Sequence, residues 1–248
     1  MLIKACLNGG TTRAQHHAVP LTPAELAADA AAAVRAGAHA VHLHPRDAVG
    51  AETLDPSAVL AAVDAVRAVV PHTPIGVTTG LWAAGGDPAR RTALVSQWAG
   101  TVQPDFASVN WCEPGADELA ELLGKFGIAV EAGIWSVADA ARLAGGAIGD
   151  HVLRILIEPT DDTPGEAVAS ATAIEAALDS HGMTDAPRLH HGQGPATWAV
   201  LRVAITLGRD IRIGLEDTTV LPGGRLASGN AELVEAAVSL VAELSPHS

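Results

Sequence analysis

Short apolar runs alternate with longer amphipathic stretches along the whole chain. The apolar runs predict strands near Leu2–Asn8, His39–His44, Ile75–Thr79, Phe106–Asn110, Ile128–Ala132, Val152–Ile157, Arg188–His191 and Ile211–Leu215. Between them, a one-sided apolar face predicts helices from Thr22 to Gly37, Asp55 to Val70, Pro88 to Trp98 and Ala116 to Phe126. Four more follow, from Ser136 to Gly145, Thr163 to His181, Pro195 to Leu207 and Ala231 to Leu244. Thr22-Pro23-Ala24-Glu25 is a capping box with proline at the first helical position, and Gly37 supplies the stop. Strict strand–helix alternation implies a parallel sheet, and eight such units in one domain spanning residues 1–248 predict a closed (β/α)8 TIM barrel. An open doubly wound sheet is the competing α/β arrangement. Its G-x-G-x-x-G fingerprint is missing, because the first strand runs into Asn8-Gly9-Gly10-Thr11-Thr12.

Composition narrows the function. The 248 residues are 48% hydrophobic and 17% charged, enough for a substantial core, and the net charge is −13. That balance excludes nucleic acid and anionic membranes as main partners, while leaving room for a local basic pocket. Two cysteines, Cys6 and Cys112, are too few for a disulfide framework. They read as two buried thiols in a reducing cytoplasm. The Ala-rich stretch from Ala24 to Ala36 is broken by Glu25, Asp29 and Arg35, so it is no membrane span, and Met1-Leu2-Ile3 opens directly into a strand rather than a leader.

Barrel active sites gather where strands end. Polar residues crowd those positions: Asn8, His42, His44, Thr78, Thr79, Asn110, Glu131, Glu158, His190, His191, Gln193, Glu216 and Asp217. His42 and His44, two apart on a strand, leave one face. Glu216 ends strand eight, which flanks strand one on the side opposite strand two. A His-His-Glu set with open positions is a catalytic zinc arrangement. The alternative is a pair of hydrogen-bonded pocket histidines without metal. Asp217 reads as an acid behind the ligands, a general base or a turn cap. Arg212 reads as a partner for Asp217, a substrate-carboxylate ligand or a buried ion pair. Thr78-Thr79-Gly80 offers hydroxyls and amides to a carboxylate, with Asn8, Asn110 and Glu131 as further substrate candidates. His191-Gly192-Gln193-Gly194 falls where barrels hold phosphate, making His191 and Gln193 candidates for a phosphate-bearing cofactor. The remaining histidines, His16, His17, His39, His72, His151, His181 and His247, read as surface or turn residues. The tryptophans read mostly as packing, with Trp82 and Trp111 placed to wall a pocket.

The chain resembles the β-keto acid cleavage enzymes, whose founding activity is 3-keto-5-aminohexanoate cleavage. The resemblance rests on Lys4-Ala5-Cys6-Leu7-Asn8-Gly9, on Val19 to Ala27, and on Ala36 to Asp47 with its H-x-H-x-R-D element. It continues through Gly76-Val77-Thr78-Thr79-Gly80, Ser108-Val109-Asn110-Trp111, Val130-Glu131-Ala132-Gly133 and Arg212-Ile213-Gly214-Leu215-Glu216-Asp217. The resemblance implies one zinc ion held by His42, His44 and Glu216, with Asp217 as acid–base and Arg212 assisting. It implies Thr78 or Thr79 at the substrate carboxylate, acetyl-CoA as co-substrate, and a homo-oligomer, tetramer or dimer. The implied reaction converts a β-keto acid and acetyl-CoA into acetoacetate and a new acyl-CoA. The family's acid after strand one has no counterpart in Asn8-Gly9-Gly10. A metal-dependent hydrolase or aldolase acting on a small carboxylic acid is the alternative, although amidohydrolase-type barrels carry H-x-H on strand one rather than strand two.

Overall fold

The structure, a computed structural model, describes residues 1–146 and 152–244. Its strands are β1 (Ile3–Cys6), β2 (Ala40–Leu43), β3 (Ile75–Thr78), β4 (Phe106–Asn110), β5 (Ala129–Ile134), β6 (Arg154–Ile157), β7 (Arg188–His190) and β8 (Asp210–Ile213). All pair in parallel in sequence order, and β8 closes on β1, giving the (β/α)8 barrel expected from the alternation. The helices are α1 (Pro23–Arg35), α2 (Pro56–Val69), α3 (Pro88–Ser96), α4 (Ala116–Lys125), α5 (Val137–Gly145), α6 (Pro164–Ser180), α7 (Thr197–Thr206) and α8 (Asn230–Leu244). Thr22 and Glu25 form the predicted capping box, and Gly37 takes φ 115° just past the helix end. No helix among the described residues is long and apolar enough to cross a membrane.

Alternation along the strands divides the molecule. Ile3 and Ala5, Val41 and Leu43, Ile75 and Val77, Ala107 and Val109, and Ile211 and Ile213 pack into the shell between sheet and helices. The intervening positions, which point into the barrel, carry Lys4, His42, Thr78, Ser108, Glu131, Arg154 and Arg212. The floor is charged: Lys4 Nζ lies 2.5 Å from Glu131 Oε2 with both side chains fully buried, and Arg154 Nε lies 3.3 Å from Glu131 Oε1. Lys4 Nζ also sits 5.6 Å from the Phe106 ring centroid.

Every strand is shorter than or offset from its predicted span at one end or both, β4 excepted. The reason is visible after β1. Asn8 Nδ2 donates to the His44 carbonyl and His44 N–H donates to Asn8 Oδ1, both at 2.9 Å, so a side chain replaces the backbone ladder there. His44 directly follows β2, and Glu216 and Asp217 lie in the turn after β8, at the mouth of the barrel.

Candidate metal centre and active site

A cavity of about 410 Å³ opens at the C-terminal ends of the strands, lined among others by His42, His44, Glu52, Thr78, Trp82 and Asn110 from the first half of the chain. Trp135, Glu158, His191, Arg212, Glu216 and Asp217 line it from the second half. The size suits a small ligand with several polar contacts.

One donor atom from each of His42, His44 and Glu216 lies within 4.8 Å of the others. His44 Nε2 and Glu216 Oε1 are 3.5 Å apart, the spacing of two donors sharing an ion at about 2.1 Å in tetrahedral geometry. His42 Nδ1 and Glu216 Oε2 are buried without a partner. A two-imidazole, one-carboxylate set with such orphaned atoms fits a divalent cation of the zinc type. Burial, aided by the neighbouring His44, Lys4 and Arg212, keeps His42 well below the usual histidine range and hence neutral. Burial also opposes charge on His44, but Glu216 and Glu52 outweigh it and lift this imidazole to about 9.

Backbone geometry presses Glu216 into position. Gly9 takes φ 48°, and a Cβ there would stand 2.2 Å from Glu216 Cγ. Arg212 Nη2 donates to Glu216 Oε1 at 2.6 Å and to Asp217 Oδ1 at 2.7 Å, and its Nε donates to Asp217 Oδ1 at 3.0 Å. Burial disfavours charge on both carboxyls, yet the Arg212 guanidinium holds each below the ordinary carboxylate range. Asp217 Oδ2 is buried and unpartnered, so one oxygen of this cavity-lining carboxylate is free of hydrogen bonds.

The remaining candidates divide. Thr78 lines the cavity; its Oγ accepts from Gly80 N–H at 3.0 Å, leaving its hydroxyl proton free. Thr79 points away and donates to the Ser108 carbonyl at 2.6 Å. Asn110 lines the cavity, steadied by a 3.1 Å bond to Glu113. Asn8 and Glu131, expected at the substrate, are not there. Asn8 uses both ends of its amide on backbone groups of His44 and Pro20. Glu131 lies one inward layer too deep, in the floor ion pair with Lys4. His191 stands 3.3 Å from Asp217 and 3.4 Å from Glu158, among the charged side chains around Arg212, while Gln193 is exposed at the rim. The amides of His191 and Gly194 are committed to the Ile157 and Asp217 carbonyls, which removes two donors from the expected phosphate cradle.

Other expectations change as well. His190 faces outward to Glu175 at 2.7 Å. Trp111 is buried outside the cavity, whereas Trp135, expected as packing, lines it and donates to Glu158 at 2.9 Å. Cys6 is buried but Cys112 is exposed. Burial raises the Cys6 thiol well above its usual range. His16 is buried, with Nε2 2.8 Å from the Ala227 carbonyl; His151 and His247 fall outside the described residues. The sequence reading missed Glu52 altogether. Its signal was the turn before it: Asp47 caps the amides of Val49 and Ala51, Gly50 takes φ 84°, and the chain doubles back to set Glu52 opposite Arg46.

The sequence model of the beta-keto acid cleavage enzyme family matches residues 1–149 and 162–247. The 3-keto-5-aminohexanoate cleavage enzyme of Fusobacterium nucleatum subsp. nucleatum is 28% identical over 98% of this chain and 92% of that protein. The enzyme of the same name from Acetoanaerobium sticklandii is 26% identical, again over 98% and 92%. Among solved structures, a ternary complex of ObcA with a C4-CoA adduct and oxalate superposes with a TM-score of 0.74 at 19% identity. That match covers 91% of this chain but only 64% of ObcA, so the chain spans less than two thirds of its length, and the likeness is one of fold.

Proposed function

Because the chain belongs to the beta-keto acid cleavage enzyme family, we propose that it cleaves a β-keto acid against acetyl-CoA in a zinc-dependent reaction giving acetoacetate and a new acyl-CoA. The observation that carries this reading is the meeting of His42, His44 and Glu216 beside an ionised, half-free Asp217 in one cavity. His42, His44 and Glu216 hold the ion. When bound, it supplies Lewis acidity that polarises the keto acid and lowers the pKa of its C2 proton.

The protein's own groups carry out the rest. Thr78 and Asn110 offer hydrogen bonds to the substrate carboxylate. Asp217 Oδ2 takes the C2 proton, while Arg212 fixes Oδ1 and the side-chain angle. The C2 carbanion attacks the thioester carbonyl of acetyl-CoA, forming the new C–C bond and expelling the CoA thiolate. The thiolate then adds to the C3 ketone, and the C2–C3 bond breaks. The acyl group leaves as a thioester, and the acetoacetate carbanion recovers the proton from Asp217. No atom or electron is gained or lost. Its exposure at the cavity rim supports assigning Gln193 to the CoA chain. The same family likeness supports a cytoplasmic setting and a homo-oligomer, dimer or tetramer, which light scattering measures.

The test is a panel of β-keto acids with acetyl-CoA, scored for acetoacetate. Asp217→Asn removes the base and keeps the ligands. We expect loss of turnover by at least about 100-fold with one zinc still bound per chain. Absence of acetoacetate with every acid in zinc-loaded protein overturns the reading, and turnover without CoA transfers it to the hydrolase or aldolase class.

A further inference from the structure

Glu52 belongs to neither the ligand set nor the acid–base pair, yet its carboxylate is half-enclosed at the cavity wall, with its side chain 14% exposed. Oε1 accepts from His44 Nδ1, and also from the indole N–H of Trp82 at 2.9 Å. A carboxylate only accepts, so His44 carries its proton on Nδ1 and turns Nε2 toward Glu216. The Trp82 ring lies over the His44 ring with centroids 6.2 Å apart and planes 20° from parallel. Arg46 Nη1 stands 3.9 Å from Oε2 on the far side, and another nitrogen of the same guanidinium donates to the Gly9 carbonyl. Gly10 leaves the space open: a Cβ there would meet Glu52 Oε2 only at 3.7 Å.

From this geometry we infer that Glu52 is the positioning residue of the metal centre, fixing the tautomer and ring plane of His44 and holding Trp82 against it as the cavity wall. The inference rests on the metal part of the proposed function. Among the described residues, Glu52 is the carboxylate that hydrogen-bonds an imidazole of this pair from outside the ligand set. An outer carboxylate behind a metal-bound imidazole raises its basicity and sets its angle.

The experiment uses full-length protein stripped of metal, titrated with zinc against a chelating dye and separately loaded with cobalt(II) for its visible spectrum. Glu52→Ala is expected to weaken zinc binding by about 10–100-fold and to shift the cobalt bands. Glu52→Gln, which still offers an oxygen to Nδ1–H, is expected to keep the wild-type spectrum with a smaller loss of affinity. Glu52→Leu fills the same volume without an acceptor and replaces the alanine variant if that one fails to fold. Wild-type affinity in a folded acceptor-less variant overturns the inference, as does weakened affinity with an unaltered cobalt spectrum. If the wild-type protein itself binds no zinc, the metal reading fails first and this inference goes with it.

Discussion

Gly9→Ala is the smallest change that reaches the proposed metal centre from outside its ligand set. Two effects add at this position. Gly9 sits at φ 48°, in the left-handed region, where a side chain costs about 1–2 kcal/mol. The new methyl would also stand 2.2 Å from Glu216 Cγ and 2.8 Å from its Cβ and Cδ, well inside the ~3.5–4.0 Å at which carbons rest. Backbone holds the methyl, so Glu216 must swing away, giving up its 2.6 Å bond to Arg212 and its place beside His44. Displacing a ligand should cost at least as much as losing an outer-shell partner, about 10–100-fold in affinity or ~1.4–2.7 kcal/mol. Zinc titration of stripped protein, paired with urea unfolding, reads both effects. Gly10→Ala is the control, because its methyl makes only an ordinary 3.7 Å contact. A Gly9→Ala protein with wild-type zinc affinity and an unshifted midpoint would refute the packing argument for Glu216.

Two further outcomes follow from buried charges. Glu131→Leu strands Lys4 and Arg154 in the barrel floor and should lower stability by about 3–5 kcal/mol, while zinc affinity holds; a raised KM with unchanged urea midpoint would return Glu131 to the substrate. Asp29, half-buried and bonded to Asn230, has its carboxyl raised by burial from 3.8 to about 6. Its folded pKa exceeds the unfolded one, so its contribution is full below about 3.8 and is lost as pH rises through about 6, an effect of about 3 kcal/mol. Asp29→Asn should therefore gain stability over the parent at pH about 8 and lose most of that gain at pH about 4; an equal difference at both would sink the assignment.

The sequence showed the order of elements because each strand–helix unit declares itself locally, through Thr22, Asp55, Asp87 and Thr163 at helix starts and apolar runs between. The His42, His44 and Glu216 cluster was legible for a related reason: two-residue spacing fixes a shared face, and barrel closure makes β2 and β8 flank β1. Depth along the barrel was not legible. Glu131 has the right facing and the wrong layer, and layer depends on the stagger between strands, which spacing within one strand does not encode. Facing failed by one residue at His190, which turns outward where His191 turns in. Asn8 looked like a ligand because a buried amide and a substrate amide are the same residue type; only its partners distinguish them. Glu52 and Trp135 reach the cavity from loops, where no periodicity reports direction.

The first and last strands zip together, with Leu2 N–H bound to Asp210 and Ile3 in register with Ile211. A ribosome making this chain releases both imidazoles early and Glu216 only after all eight strands have emerged. Until the final seam joins, a nascent polypeptide offers any cation two grips and no more. Binding of the proposed ion by all three donors therefore requires a finished barrel, and metal uptake by a truncated chain that stops before β8 should fall short of that of the full chain.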